Sequence, residues 1–299
     1  MKAKGYALAA FSALFYGLIP LFVLPIKAEH FSLDTTLFYR FFMAALLLLG
    51  YLLYKKESLK LNKTELACMV ALGLFFALSS ECLFMGYDYL SAGIASSTLF
   101  VYPVIVALIM VFFFKEKLNL LTVLSLVVTL LGVLILNAKG KQFKINPIGI
   151  SITLLSALFY ALYIVLVNKA KISFSGVKTA FYSILFTTIY FLIKVVFLKE
   201  SLAIPSLNML FNFAIFALVT TVLSILALVY AIQTIGSTPT SIMGALEPIV
   251  AVAISVLLFH EQLTSTLITG GLLIIIGVIV NIVAEDRKNK RHPQLKPKI

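Results

Sequence analysis

The sequence is divided into apolar stretches of roughly 20 residues, and this division is the strongest constraint on its fold. A helix needs about 20 mostly apolar residues to cross the hydrocarbon core of a bilayer. Because 62% of the 299 residues are hydrophobic and 12% are charged, the chain cannot be an ordinary soluble domain. We expect an all-α integral membrane protein with ten transmembrane helices: 5–26, 35–54, 66–88, 93–114, 119–138, 148–168, 178–198, 208–233, 238–259 and 265–284.

A seven-residue segment occurs twice in nearly the same form. SALFYGL begins at Ser12 and SALFYAL begins at Ser156, 144 positions later. At a shift of 145, YPVIVALIMVFFFKEKL from Tyr102 aligns with EPIVAVAISVLLFHEQL from Glu247. The sequence therefore predicts two five-span units, residues 1–142 and 143–284, followed by a basic cytoplasmic tail, 285–299. Because five is odd, the second unit crosses the membrane in the opposite direction, so that the units are inverted repeats.

Lysine and arginine are distributed unevenly between the predicted loops, which indicates the orientation in the membrane. With the amino terminus inside, the inner segments hold 17 basic residues and the outer loops hold 5. Both termini are therefore expected in the cytoplasm, while three lysines between the fifth and sixth spans run against the rule. The net charge of +12 lies in short loops and the tail, which favours contact with anionic lipid and argues against a nucleic-acid partner.

Five further segments follow one another along essentially the whole chain: SALFYG, FYRFFMAALLLL, YLSAGIASSTLFVYPVIVALI, MGALEPIVAVAISVLLFHEQL and TGGLLIIIGVIV. With these segments in this order, the chain resembles the EamA-type transporters of the drug/metabolite transporter (DMT) superfamily. The resemblance implies a ten-helix carrier with both termini cytoplasmic that moves small metabolites, amino acids or drugs, often outward. We expect a multi-pass protein of the plasma membrane of a prokaryote, working by alternating access through a central cavity between the repeats.

Four charged residues lie inside the predicted spans, where a charge is costly to bury and usually functional. Arg40 and Glu81 fall at similar depths and could pair, so that a structural ion pair and a role in substrate recognition both stay open. Lys194 lies near the end of its span, which favours snorkelling to the interface. Glu247 lies deep in the ninth span with no basic residue assigned near it, which favours a cavity position where it binds a cation or exchanges a proton.

Tyrosines complete the predicted cavity. Tyr16 and Tyr160 are the repeated tyrosines, and they lie too deep in their spans for the aromatic belt at the interface. Tyr163 is on the same helical face as Tyr160, and a buried hydroxyl needs a hydrogen-bond partner. We therefore place these three tyrosines in the cavity, together with Tyr102.

Matched prolines and glycines point to moving and packing elements. Pro103 and Pro248 occupy corresponding places in the fourth and ninth spans, and because proline kinks a helix, they are candidate gating residues. A static kink without a gating role is the alternative. Gly132, Gly271 and Gly277 predict close approach of the fifth and tenth spans to their neighbours.

Other function classes find little support in the sequence. A Gly-rich phosphate loop, a cluster of metal-ligand residues and a His-rich catalytic segment are all missing, so we expect no enzyme, no cofactor and no metal site. The expected partners are a small-molecule substrate, the lipid bilayer and a proton coupled through Glu247, while monomer and homodimer both stay open. A lipid-type flippase and a passive facilitator of the same architecture are the alternatives to a solute carrier.

Overall fold

The computed structural model describes residues 2–19, 21–22, 26, 31–90, 95, 98–136, 146–170, 175–200, 202, 206–258 and 264–291. Its regular structure is helical, and no strand occurs in these ranges, which confirms the all-α prediction. In chain order, the helices are α1 (Lys2–Tyr16), α2 (Leu33–Tyr54), α3 (Lys63–Tyr89), α4 (Tyr102–Phe114), α5 (Leu120–Leu136), α6 (Pro147–Lys169), α7 (Gly176–Phe197), α8 (Leu207–Ile235), α9 (Ser237–Met243), α10 (Leu246–Leu258) and α11 (Ser265–Arg291).

Polar side chains fix where several of these helices begin. Ser32 before α2 and Ser175 before α7 each accept a hydrogen bond from the backbone amide three residues further on. Asn62 and Glu65 form a capping box at the start of α3. These caps satisfy amides that the first helical turn leaves without a partner, so each apolar run starts its helix at a defined residue.

Length and apolarity identify the helices that can cross a membrane. The helices α2, α3, α6, α7 and α8 are long and apolar enough, and Tyr102–Phe114, Leu120–Ile135 and Ile268–Ala284 are shorter apolar helices. Large apolar side chains also face outward, since Phe113 is 78% exposed and Leu120 and Phe197 are each 83% exposed. Such a surface is unfavourable in water and favourable against lipid. The chain is therefore an integral membrane protein with several spans.

The two candidate gating prolines lie at the beginnings of helices and not at kinks within them. The predicted span 238–259 is interrupted by a turn at Gly244 and Ala245, which separates α9 from α10. Pro248 consequently lies in the first turn of α10, and Pro103 lies at the second position of α4. A proline is tolerated there because the first amides of a helix have no intrahelical partner. Each proline therefore lies in the first turn of a helix that follows a turn.

Three further departures from regular helix concern the ends and the middle of predicted spans. The helix α1 ends at Tyr16 in a turn, inside the predicted span 5–26. Within α8, a π-helical segment, Ala217–Leu223, separates two α-helical segments. The last helix continues to Arg291, so the segment predicted as a tail from residue 285 begins as helix. π-Helical turns often mark functional positions, and this one contributes to the site described below.

The helices form one continuous packing arrangement, within which two groups can be defined. In the first group, α3 packs against α6 and α7; in the second, α8 packs against α1 and α2. The most extensive contact between the two groups joins α2 to α7. The helices α5 and α11 pack along each other and make most of their contacts as a pair. Any movement of one group relative to the other must therefore change the α2–α7 contact.

Two matched glycines allow α5 and α11 to approach each other closely. A Cβ atom on Gly132 would lie 2.8 Å from the amide nitrogen of Ile274, and one on Gly277 would lie 2.9 Å from the amide nitrogen of Thr129. Both distances are shorter than a carbon–nitrogen contact allows, and at Gly277 the hydroxyl oxygen of Thr129 lies closer still, 2.2 Å from the added Cβ. The third predicted glycine, Gly271, has no atom within 4 Å of the position of an added Cβ, so it plays no part in this approach.

We expect Gly277→Ala to destabilise the folded protein by about 1–3 kcal/mol, because backbone must move to accommodate the new methyl group. Thermal unfolding in detergent, followed by the loss of monodisperse protein on size exclusion, measures the effect. Gly271→Ala on the same helix is the matched control and should unfold at the parental temperature or above. Equal unfolding temperatures for the two variants would contradict the proposed tight contact between α5 and α11.

Candidate functional site

Four tyrosine rings meet where α1, α4 and α6 converge. The ring centroid of Tyr160 lies 4.8 Å from that of Tyr102 in an edge-to-face arrangement, 6.3 Å from that of Tyr16 and 6.4 Å from that of Tyr163. Tyr102, Tyr160 and Tyr163 are buried, while Tyr16 at the end of α1 is partly exposed. Such ring pairs add packing energy beyond the area they bury. The tyrosines selected from the sequence therefore form one cluster, which we call the tyrosine cluster.

The break between α9 and α10 holds Tyr102 in place. The hydroxyl of Tyr102 donates a hydrogen bond of 3.2 Å to the carbonyl oxygen of Ser241 in α9. That hydroxyl also lies directly over Gly244, where any Cβ atom would collide with it. A glycine at this position is therefore a condition for the observed orientation of the Tyr102 ring.

Glu247 reaches the tyrosine cluster from the start of α10. Its side chain is partly buried, and its charge is close enough to interact electrostatically with the hydroxyls of Tyr16, Tyr102 and Tyr160. The end of α1 packs tightly on the same turn, because a Cβ on Gly17 would lie 2.8 Å from the carbonyl oxygen of Glu247. Within the described part of the chain, no lysine or arginine nitrogen lies within 4.0 Å of its carboxylate. Glu247 is thus an acid near the tyrosine cluster, without an ionic partner in the described part of the chain.

Arg40 also lies beside Tyr16 and is completely buried, with 0% of its surface exposed. Its Nε donates a hydrogen bond of 2.8 Å to Oγ1 of Thr221, and Nη2 lies 3.5 Å from the carbonyl oxygen of Thr220. Among the described residues, no carboxylate lies within 4.0 Å of the guanidinium. Three ring centroids surround the guanidinium carbon at 4.8, 5.2 and 5.7 Å, those of Phe216, Phe41 and Tyr16. Cation–π contacts therefore replace a counterion around this buried cation.

These groups make a site of mixed chemistry. A guanidinium binds carboxylate or phosphate oxygens through its fork of N–H groups. Aromatic rings stack on flat or apolar parts of a solute, and their hydroxyls supply hydrogen bonds. The carboxylate of Glu247 can accept a cationic group or a proton. Opposite charges near Tyr16 can thus bind a small solute that carries separate polar groups.

Glu81 is not part of this site, and the pairing considered between Arg40 and Glu81 does not form. Oε1 of Glu81 lies 2.5 Å from Nζ of Lys194, and Tyr190 donates a hydrogen bond of 2.5 Å to its Oε2. Nζ of Lys194 also lies 2.8 Å from Oδ1 of Asp34. Lys194 therefore does not simply snorkel to the interface, as expected from its place near the end of its span. Instead, it is shared by acids from α2 and α3, while Arg40 faces α8.

The sequence did not identify some of the residues that surround Arg40 and Lys194. Thr220 and Thr221 present oxygens to Arg40 from the π-helical segment of α8, whose geometry leaves no pattern in a sequence. Tyr190 and Lys194 are four residues apart and therefore share one face of α7. This spacing is a usable signal for a polar face directed at Glu81. For metals, the part of the chain that the structure describes contains no group of three or more His, Cys, Asp or Glu side chains able to hold an ion.

The fold of this chain has a counterpart among solved structures. A protein of known crystal structure superposes on it with a TM-score of 0.82, covering 96% of this chain and 99% of the other. The two sequences are 14% identical, so this likeness concerns the fold alone.

Curated relatives carry transporter names. The uncharacterized transporter YdfC of Bacillus subtilis (strain 168) is 26% identical over 217 residues, 73% of this chain and 71% of that protein. The uncharacterized transporter YvbV of the same organism is 25% identical over 261 residues, 83% of this chain and 82% of that protein. An uncharacterized transporter of Archaeoglobus fulgidus is 22% identical over 274 residues, 91% of this chain and 92% of that protein.

The family comparison extends over almost the whole chain in two successive matches. The pattern of the EamA-like transporter family matches residues 3–138 and again residues 147–283. The first match contains Arg40, Tyr16 and Tyr102, and the second contains Tyr160 and Glu247. With its helical fold, its apolar outer surface and both matches, the chain belongs to the EamA-like transporter family.

Proposed function

We propose that this protein is a secondary transporter that carries a small organic solute through the site formed by Arg40, Glu247 and the tyrosine cluster. One observation carries the proposal. Two charged side chains, one from each half of the chain, lie near Tyr16, and neither has an ionic partner within 4.0 Å among the described residues. Intramembrane charges are expensive and therefore mark binding or coupling sites. The solute supplies the missing polar partners when it binds.

The proposed architecture is two inverted five-helix repeats, residues 1–142 and 143–284, in a ten-helix carrier. The two successive family matches support it, and so do hydrogen bonds that recur between the halves. The hydroxyls of Ser12 and Ser224 lie 3.3 Å apart, and those of Ser156 and Ser79 also lie 3.3 Å apart. Ser12 and Ser156 are the repeated serines of the first and sixth predicted spans, so each repeat uses its first span to contact the third span of the other.

Alternating access follows from such an architecture, because two similar halves can exchange conformations around one central site. The cargo belongs to the class of small metabolites, amino acids or drugs, and the direction is export or exchange across the cytoplasmic membrane. Both termini lie in the cytoplasm in this proposal. Comparing the metabolites accumulated by cells with and without the protein identifies the solute, and saturation of its transport separates a carrier from a passive facilitator.

Glu247 is proposed to couple transport to protons. Removing a carboxylate from water favours its neutral form, so that a proton can neutralise the site when the carrier returns empty. We expect Glu247→Gln to keep binding and passive exchange of a neutral or zwitterionic solute but to lose accumulation driven by a pH gradient. Reconstituted vesicles with an imposed gradient measure both activities. Asp88→Asn, which removes an exposed carboxylate of α3, is the control and should transport like the parent. A Glu247→Gln protein that still concentrates solute with the parental pH response would exclude this role.

The orientation of Tyr102 is expected to matter for transport. Gly244→Ala places a methyl group where the Tyr102 hydroxyl lies, so the ring must move. If the solute-bound state alone bears an overpacking cost of about 1–3 kcal/mol, then at 1.4 kcal/mol per tenfold change solute affinity falls roughly 5- to 140-fold. Tyr102→Phe removes the obstructing oxygen, so the double variant should bind the solute more tightly than Gly244→Ala alone. Binding by the double variant that is no better than by Gly244→Ala would show that the turn, and not the hydroxyl, sets the geometry.

A further inference from the structure

The amino-terminal end of α2 is fastened to the carboxyl-terminal end of α7 by one carboxylate. Ser32, the residue that caps α2, donates a hydrogen bond to the side chain of Glu200, which lies just beyond α7. Thr35 in the first turn of α2 donates a second hydrogen bond of 3.0 Å to Oε2 of Glu200. Tyr39, one turn further along, donates to the carbonyl oxygen of Leu202. We call this set of contacts the Glu200 clasp.

The opposite ends of the same two helices repeat this arrangement. Ser175, which caps α7, donates a hydrogen bond of 2.6 Å to Oε1 of Glu57, just beyond α2. Tyr182 donates to the carbonyl oxygen of Leu59. We call this set the Glu57 clasp. Every residue of the Glu57 clasp corresponds to a residue of the Glu200 clasp that lies 143 positions away in the sequence. The corresponding pairs are Ser32 and Ser175, Tyr39 and Tyr182, Glu57 and Glu200, and Leu59 and Leu202.

The backbone has the same conformation directly before both glutamates. Lys56 and Lys199, each directly before a clasp glutamate, have φ angles of 54° and 55°, in the left-handed region. The amide of Glu57 then donates to the carbonyl of Leu52 at 3.1 Å, and that of Glu200 to the carbonyl of Val195 at 3.0 Å. This is the hydrogen-bond pattern that closes a helix carboxyl terminus. Each glutamate therefore ends one helix and holds the start of the other.

Both clasps join the two groups of helices. The helix α2 packs against α8 in one group, and α7 packs against α3 in the other. Since the helices run in opposite directions, the Glu200 clasp and the Glu57 clasp lie at opposite ends of the α2–α7 contact. A rocking movement that opens the groups at one end breaks the clasp there and leaves the other clasp closed.

We propose that Glu57 and Glu200 are alternating latches: opening of the site toward one side of the membrane breaks one clasp, and opening toward the other side breaks its counterpart. This proposal rests on the transport function proposed above. Hydrogen bonds to a carboxylate are stronger than those between neutral groups, so that each clasp biases the conformational equilibrium while remaining breakable. Because the two clasps lie at opposite ends of the α2–α7 contact, losing one shifts the equilibrium in the direction opposite to losing the other.

The two ends of the α2–α7 contact differ in three contacts, the first being the hydrogen bond from Thr35 to Glu200, since the residue corresponding to Thr35 is Lys178. At the Glu200 end, the ion pair between Lys194 and Asp34 also joins α7 to α2. The positions 143 residues away are Tyr51 and Val177, which cannot form an ion pair. At the Glu57 end, Nζ of Lys178 donates a hydrogen bond of 2.7 Å to the carbonyl oxygen of Lys60. With an ion pair added to its clasp, the Glu200 end is held more strongly, and the resting protein opens preferentially at the Glu57 end.

Distances between spin labels at the two ends test the proposal. In protein with Cys68 and Cys82 replaced by serine, one label pair sits at Asp88 and Asn208 at the Glu200 end. The other pair sits at the corresponding positions, Lys63 and Gln233, at the Glu57 end. All four residues are exposed, and each pair has one member in each helix group. Double electron–electron resonance in nanodiscs reports the distance distribution for each pair.

We expect Glu200→Ala to raise the long-distance population at the Glu200 end about tenfold relative to the parent and to lower it at the Glu57 end. Glu57→Ala should do the reverse, and the double variant should return toward the parental distribution. If alanine variants fold poorly, Glu200→Gln and Glu57→Gln keep one acceptor oxygen and should give smaller shifts with the same signs. Asn146→Ala is the control, because its cap contacts stay within α6, and both distances should be unchanged.

A change confined to the mutated end, without a compensating change at the other end, would overturn the latches and leave two ordinary helix caps. No change at either end would overturn them as well. The distance measurements need no solute, so they separate this proposal from the transport function. Reciprocal shifts in a protein that transports nothing would refute the transport function alone, whereas solute transport without reciprocal shifts would refute the latches alone.

Discussion

The cost of placing a charge in hydrocarbon decides where the charged side chains of this protein lie. Arg40 avoids lipid by complete burial among three aromatic rings and two threonine oxygens. Lys194 is neutralised by two carboxylates. Glu247 lies near the tyrosine cluster and keeps partial exposure. The burial of Arg40 brings α2 and α8 together, and the ion pairs of Lys194 join α2, α3 and α7. The position of Glu247 brings α10 toward α1. Several of the helix contacts therefore follow from this one constraint.

The charged clusters differ in what they leave unsatisfied. The cluster around Lys194 contains its own counterions and a tyrosine hydroxyl, which suits a structural joint. The surroundings of Arg40 provide cation–π contacts and neutral oxygens but no carboxylate within 4.0 Å in the described chain. A buried cation of this kind is stabilised further by any anion that reaches it, and Glu247 is stabilised likewise by a cation or a proton. This difference is why the solute site is proposed at Arg40 and Glu247 and not at Glu81.

The sequence predicted the elements whose signal is local or repeated. Apolar runs predicted the helical class, and the repeated SALFY segment singled out Tyr16 and Tyr160, which the fold brings together. The predicted pairing of Glu81 with Arg40 was wrong, because similar depth in a membrane does not say which helices are neighbours. The break at Gly244 was missed, since only the hydroxyl of Tyr102, from a distant helix, explains the glycine there. The clasps were missed because α2 and α7 correspond at a shift of 143, one less than the shift that relates the serines of the first and sixth spans.

The most direct measurement of the central claim is the accessibility of the site from the two sides of the membrane. Tyr16→Cys, in protein with Cys68 and Cys82 replaced by serine, places one thiol in the proposed site, beside Arg40. A membrane-impermeant thiol reagent is added to right-side-out and to inverted vesicles, and labelling is followed over time. Because the reaction is irreversible, even a minor conformation becomes labelled as the protein alternates. The account predicts labelling from both sides, whereas a folded protein labelled from one side only would contradict alternating access at this site.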